Sequence, residues 1–311
     1  MPSVQSDHPQ TVRADACVPG FAAWLDTARS EVERALDTHL IECTTALGSR
    51  RRLAAAVEYS FRVGGKRIRP ILVLECGRLC GGAGERAMPA ALALEFVHTF
   101  SLIHDDLPAM DDDDLRRGQP TNHRVFGEGL AILAGDWLLA HAFRLVATPR
   151  YDGELAAALA RTLADGTERM IAGQAADLAG MAEVTDPGLV RYIHENKTAA
   201  LLETACRLGA LCAGADEPAT AALTAYGRHV GLAFQIADDV LDATGAAARV
   251  GKAVRKDAVV SKQTYPAAFG TDESRVRAQA EVDAAVGALA LFGQRAGRLR
   301  ELAGFVLARD H

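Results

Sequence analysis

Six aspartates fall within ten positions of this chain, Asp105, Asp106 and Asp111 to Asp114, and Arg116 and Arg117 follow at once. Carboxylates this close repel one another. The C-terminus of a helix, where the apolar run LALEFVHTFSLI delivers Asp105 and Asp106, adds to the repulsion through its dipole. A cation relieves it. Oxygen-only ligands select hard ions, and Mg²⁺ held by one or two carboxylates together with substrate phosphates is the usual arrangement. Taken alone, the stretch reads equally as a solvated acidic loop. A second cluster shifts the balance, because FQIADDVLDATG carries Asp238, Asp239 and Asp242 in an apolar helical context. Residues four apart share one helix face, so two like charges there destabilise the helix unless a cation bridges them. Two Asp-rich helix ends that face each other make a cage for several divalent ions, and such a cage suits a diphosphate.

The basic residues complete the argument. GGKRIRP crowds Lys66, Arg67 and Arg69 just before Pro70. By itself this is a solvated turn; opposite a metal-bound diphosphate it is an anion clamp, with arginine as a planar fork and lysine as a point charge. Arg116 and Arg117 are placed so that one can take each of two diphosphates. His98, on the approach to the aspartates, is either a satisfied core histidine or a hydrogen-bond partner of a phosphate oxygen. HENKTAAL puts Lys197 and Thr198 inside an apolar helix, where a polar pair needs partners. Thr198 can bond back to the carbonyl four residues earlier and loosen it. Gln235 lies one turn before Asp238 on the same face. Gln174 and Asp177, in GQAADLAG, either cap a helix or form a third wall of the cage. GKAVRKDAVVSKQTYP supplies Lys252, Arg255, Lys256 and Lys262 in a loop.

The elements that must position these groups are helices. Apolar residues at Phe21, Trp24, Leu25, Ala28, Val32, Leu36 and Leu40 draw one helical stripe from Phe21 to about Leu47. Further helices are expected over Arg52–Val63, stopped by Gly64 and Gly65, and over Pro70–Cys80 and Ala87–Asp106. Gly127–Ala147, Gly153–Gly180, Tyr192–Gly214 and Glu217–Thr244 follow, and a last helix runs on from Thr271. Pro108 should break the backbone after Asp106 and let Asp111 fold back toward Asp105.

Composition bounds the fold. Aromatics are only 5% of the 311 residues and β-branched runs are scarce, which favours an all-α class. The net charge of −6 argues against a nucleic-acid partner. Six cysteines show no CxxC pairing, so they are read as reduced buried thiols, with a cytoplasmic location. Residues 1–20 are expected to be a disordered leader, without the apolar core of a signal peptide or membrane span, and 21–311 a single domain.

DDLPAMDDDDLRRG and FQIADDVLD, in that order, with GGKRIRP before them and HENKTAAL between, are together highly specific. The chain resembles the trans-isoprenyl diphosphate synthases, or polyprenyl synthetases, and within them the bacterial farnesyl and plant-type geranylgeranyl diphosphate synthases. The resemblance runs from GGKRIRP to SKQTYP. It implies an isoprenoid-synthase-type helical bundle around a deep central pocket, a homodimer, and a requirement for Mg²⁺, about three ions per site. Carried over by position, Asp105, Asp106, Asp111, Asp238 and Asp242 look like the metal ligands. Lys66, Arg69, His98 and Arg117 look like binders of isopentenyl diphosphate. Arg116, Lys197, Thr198, Gln235, Lys252 and Lys262 look like allylic-side contacts, and the dipoles at Lys197, Thr198 and Gln235 would face a developing cation.

The implied reaction joins isopentenyl diphosphate to dimethylallyl or geranyl diphosphate. Phe100 and Ser101 lie on the helix lining the pocket, and at ~1.5 Å per residue the Phe100 ring sits roughly 7.5 Å below the metals. In the resembling families an aromatic there goes with short products, so farnesyl diphosphate is expected; the flanking PTNHRVFGEGLAILAGD keeps geranylgeranyl diphosphate open. Trp137 either shortens the pocket further or packs in a dimer interface. Arg255 and Ser261 stand where the family loop often has glycine, and Ala237 where glutamine is common. A class I terpene cyclase has no need of GGKRIRP or of a second acidic motif, and a non-catalytic partner subunit would have lost one of the two.

Overall fold

A computed structural model describes residues 19–180, 185–250 and 263–308, without the side chains of 19 and 245–250. Lys252, Arg255, Lys256, Ser261 and Lys262 lie outside the described residues, as do residues 1–18 of the expected leader. Pro19 and Gly20, its last two residues, open the first helix.

The described chain is helical from end to end apart from one two-stranded ribbon. α1 (Pro19–Thr45), α2 (Arg51–Arg62), α3 (Ile68–Leu79), α4 (Gly84–Asp105), α5 (Asn122–Phe126), α6 (Glu128–Val146) and α7 (Gly153–Ala179) form the first part. α8 (Pro187–Ile193), a π-turn over His194–Ala199, α9 (Ala200–Cys212), α10 (Glu217–Val250), α11 (Tyr265–Phe269), α12 (Thr271–Ala288), a 3₁₀ segment over Ala290–Ala296 and α13 (Gly297–Leu307) complete it. α4 packs against α3 and α6, and α9 against α3, α7 and α10. The middle of the bundle is therefore walled by α4, α7, α9 and the π-turn. One contiguous apolar core runs from Phe21 on α1 to Val306 on α13, and a smaller cluster around Val190, Ile236, Tyr265 and Ala278 pins α11 and α12 to α8 and α10.

Two boundaries differ from the sequence expectation. The helix expected over Tyr192–Gly214 is divided by the π-turn, and the one expected from Thr271 onward is broken at Gly293 by a positive φ of 53°. The ribbon was also not anticipated. It pairs Leu115 with Pro120 and Arg116 with Gln119, with Arg117 and Gly118 at its tip at φ 53° and 76°. Two successive positive φ values give the turn whose twist matches an antiparallel hairpin.

The five described cysteines, Cys43, Cys76, Cys80, Cys206 and Cys212, are free thiols, and all but the half-buried Cys80 are buried. α4 and α6 are long and apolar enough, by length and composition, to cross a membrane; 67% of the relevant α4 window is buried inside the bundle and 39% of that of α6.

Candidate active site

The first acidic motif takes its shape from the end of α4. Pro108 cannot extend the helix, and the chain reverses through Leu107–Met110 so that the Asp111 N–H donates to the Asp105 carbonyl at 2.8 Å. Asp111 thus returns beside Asp105, as Pro108 implies. Asp105 lines a cavity of about 480 Å³ together with Arg69, His98, Phe100, Ser101, Gln174, Lys197 and Thr198. That volume is ordinary for a small-molecule site. Burial pushes the Asp105 carboxyl up to about 7; Lys197 opposes the shift and Asp111 adds to it.

Asp106 departs from its neighbour. Adjacent residues on a helix point about 100° apart, and Asp106 turns away from the cavity to accept a fork from Arg116, Nη2 to Oδ1 at 2.5 Å and Nε to Oδ2 at 3.0 Å. Both partners of the expected ligand–diphosphate pair are therefore engaged with each other. The fork fixes the ribbon to the end of α4, which leaves Arg117 at the ribbon tip.

The basic loop divides in the same way. Arg67 was counted among the clamp cations, but it sits in the left-handed region at φ 52° and is buried. Its guanidinium donates to Glu95 at 2.6 Å, to Glu33 at 2.8 Å and to the Phe61 carbonyl at 2.9 Å. It is a structural pin between α1 and α4. Arg69 faces the cavity and lies 3.1 Å from His98 Nε2. Burial and the nearby Arg117 lower the Arg69 pKa to about 10, which leaves it charged. His98 is held well below its usual range by burial and by Arg69, Arg117, Arg116 and Arg67, so a neutral imidazole stands among arginines.

The second acidic motif lies within electrostatic reach of this cavity's cationic wall. Asp238 is near enough to favour the charged form of Arg69, and Arg69 lines the same cavity as Asp105. Asp242 is exposed one turn further along α10. Asp239, between them, is buried: its carboxylate accepts from Gln235 Nε2 at 3.0 Å and from the Tyr265 N–H at 3.0 Å, and faces His194 Nε2 at 3.0 Å. It anchors the motif rather than serving the cavity.

The π-turn presents Lys197 and Thr198. α7 and α10 approach it at glycines: a Cβ on Gly173 would overlap the Lys197 backbone nitrogen, and one on Gly231 would overlap Ala199. Thr198 Oγ1 donates to Gln235 Oε1 at 2.7 Å, so its proton goes across to α10 and not back along its own helix. Lys197 Nζ donates to Asp177 Oδ2 at 2.5 Å, and Gln174 Nε2 approaches Asp111 Oδ1 at 3.4 Å. Of the two readings of GQAADLAG, the third wall holds and capping does not. His194, which faces Asp239, was not singled out by any motif reading; its only signal was a histidine at the start of HENKTAAL.

Two buried polar atoms at the wall have no hydrogen-bond partner among the described residues, Arg69 Nε and Gln174 Oε1. One is a donor suited to a phosphate oxygen and the other an acceptor suited to water or a hydroxyl. Phe100 and Ser101 line the same cavity, with apolar walls from Met170, Leu178 and Leu201. Trp137 does not line it; its ring stacks on His141 with centroids 4.6 Å apart. Lys66 is exposed on the loop before α3.

Fold and cavity together define an all-α enzyme whose acidic and cationic walls close on one pocket, a site for diphosphate chemistry. A model of the polyprenyl synthetase family matches residues 50–289, and the chain belongs to that family. It is 42% identical over 289 residues to the farnesyl diphosphate synthase of Geobacillus stearothermophilus, covering 91% of this chain and 97% of that one. It is 43% identical over 273 residues to a chloroplastic geranylgeranyl pyrophosphate synthase of Catharanthus roseus, covering 84% and 74%. A solved FPP/GFPP synthase of Zymomonas mobilis superposes with a TM-score of 0.81 at 36% identity, covering 92% of this chain and 99% of that one. The protein is a transferase of prenyl groups.

Proposed function

We propose that the protein condenses isopentenyl diphosphate with dimethylallyl or geranyl diphosphate to form farnesyl diphosphate. The observation that carries this reading is one cavity lined by Asp105 together with Arg69 and Lys197, with Asp238 within electrostatic reach of Arg69. Asp105 and Asp111 after α4, and Asp238 and Asp242 on α10, are the residues that would hold Mg²⁺. They fit it: a buried carboxyl raised to about 7 beside a second carboxylate is a site short of positive charge. Bound there, Mg²⁺ supplies neutralisation of the departing diphosphate.

The chain's own residues do the rest. Lys197, held by Asp177, sets an ammonium beside the allylic diphosphate and favours breaking of the allylic C–O bond. Thr198 and Gln235, locked to each other, turn dipoles toward the resulting allylic cation. Arg69, His98, Arg117 and Lys66 hold isopentenyl diphosphate so that its double bond attacks that cation. A proton then leaves the new carbon skeleton for a diphosphate oxygen. Apolar walls at Met170, Leu178 and Leu201 keep water from the cation. Lys252 and Lys262 are proposed as allylic-side contacts from the sequence alone.

Phe100 on the cavity wall supports a C15 product. The likeness to geranylgeranyl pyrophosphate synthases favours C20 as the second reading. A homodimer is proposed as well, and exposed Ile132 and Leu133 on α6 support it. The free thiols support a cytoplasmic location. The experiment is incubation with labelled isopentenyl diphosphate, dimethylallyl diphosphate and Mg²⁺, with products sized after dephosphorylation. A C15 alcohol is expected. Absence of any elongated product overturns the assignment.

A further inference from the structure

His39, Cys43 and His141 meet away from the cavity, and nothing in the prenyl-transfer reaction uses them. Their ligand atoms all lie within 4.8 Å of one another. His39 and Cys43 are one helical turn apart on α1 and so share a face; His141 comes from α6, 102 residues further along the chain. The imidazoles approach Nε2 to Nε2 at 2.8 Å. Cys43 is buried, with its Sγ 3.5 Å from the Leu40 carbonyl. Aromatic rings wall the cluster: Trp137 and Phe96 stack on His141 at 4.6 and 5.4 Å, and Phe96 meets His39 edge-on at 5.8 Å.

We propose that His39, Cys43 and His141 form a binding site for a borderline-soft d¹⁰ ion, Zn²⁺, that staples α1 to α6. Two imidazoles and a thiolate are a donor set that suits zinc and disfavours the oxygen-seeking ions of the acidic cavity. The geometry is close to what such an ion needs. Two nitrogens at about 2.05 Å from a tetrahedral metal are roughly 3.3 Å apart and a nitrogen and a sulfur roughly 3.6 Å, so the rings part by about half an ångström while the thiol, within 4.8 Å of both nitrogens, draws in. Two helices and the stacked rings hold the donors, and a water would complete the four-coordination. Both imidazoles are depressed by burial, His141 to about 4, and therefore enter as neutral ligands. The Cys43 thiol is raised to about 11 by burial, so binding releases one proton to solvent as the Zn–S bond forms. Without the ion, the cluster is an imidazole pair sharing one hydrogen bond beside an inert thiol.

Co²⁺ titration of the full-length, reduced, metal-stripped protein in excess Mg²⁺ tests the site. One equivalent is expected to bring a thiolate-to-cobalt charge-transfer band and tetrahedral d–d bands, both erased by Zn²⁺. C43S should abolish the charge-transfer band, H39Q should weaken Co²⁺ binding by roughly tenfold or more, and D105N should retain both features. Zn²⁺ should raise the melting temperature of the wild type and not that of C43S. The wild-type spectrum decides without any variant: no thiolate band in it overturns the site. Persistence of the band in C43S also overturns it.

Discussion

Lys197 on the π-turn and Asp177 on α7 are joined at 2.5 Å, Nζ to Oδ2, and Lys197 lines the same cavity as Asp105. An ammonium on a four-carbon stem is otherwise free to rotate, and the carboxylate fixes where its charge points. Asp177→Asn is expected to lower kcat/KM for the allylic substrate by roughly 10²-fold, seen in steady-state kinetics with the allylic diphosphate varied. An unchanged kcat/KM would show that Lys197 needs no such guide.

Asp105→Ala and Asp238→Ala should each reduce turnover by at least about 10²-fold, with circular dichroism unchanged. Asp106→Asn acts differently: it breaks the fork with Arg116 and should weaken substrate binding through the ribbon. The comparison of KM and kcat across the three proteins checks the division. Wild-type turnover in either alanine variant sinks the two-motif site.

Phe100 lines the cavity and precedes Asp105 on α4 by a little more than one turn. Phe100→Ala should lengthen the product beyond C15 and cost about 3–5 kcal/mol of stability. Product sizing reads the first effect and urea unfolding the second. A spectrum that stays at C15 removes Phe100 as the floor.

Arg67 and Arg69 should separate cleanly. Arg67→Met leaves buried Glu95 without its partner and is expected to cost about 3–5 kcal/mol in unfolding experiments, with KM for isopentenyl diphosphate near wild type. Arg69→Met should raise that KM by roughly 10-fold or more with a smaller loss of stability. The reverse pattern would return Arg67 to the clamp.

His98 gives a pH signature. Its imidazole is held well below 6.5 in the fold, by burial first and then by Arg69, Arg117, Arg116 and Arg67. In the unfolded chain it takes up a proton as the pH falls through 6.5, while the folded protein does not. The unfolded state then binds more protons, so His98 draws stability down below that pH. His98→Asn should fall less steeply than the wild type between pH 7 and 5 when denaturation midpoints are compared. Parallel curves for the two proteins count against a neutral His98.

Much of the site could be read without coordinates because two local rules did the work. A proline two residues after Asp106 forces the reversal that returns Asp111 to Asp105, and spacing of four puts Asp238 and Asp242 on one face. What could not be read was the outcome at adjacent pairs. Asp105 and Asp106, or Asp238 and Asp239, are alike in sequence, and which one faces inward depends on where Arg116, His194 and Tyr265 happen to lie. Arg67 misleads for a related reason: its left-handed backbone turns it out of line with its basic neighbours. Trp137 offered two readings, and its stacking on His141 places it off the cavity wall. The π-turn has no periodicity of its own over six residues, so Tyr192–Gly214 looks like one uninterrupted helix.

That turn has a consequence for how the chain tolerates change in length. It accommodates one residue more than an ordinary helix over the same rise, and deletion of Asn196 would let the segment relax into regular winding. α8 and α9 would keep their relative phase, because the turn has already absorbed the extra residue locally. A residue deleted from the regularly wound α9 has no such reserve: everything upstream would rotate by about 100°, His194 would swing off Asp239, and the second acidic motif would lose its brace through an excision that removes neither a charge nor a ligand.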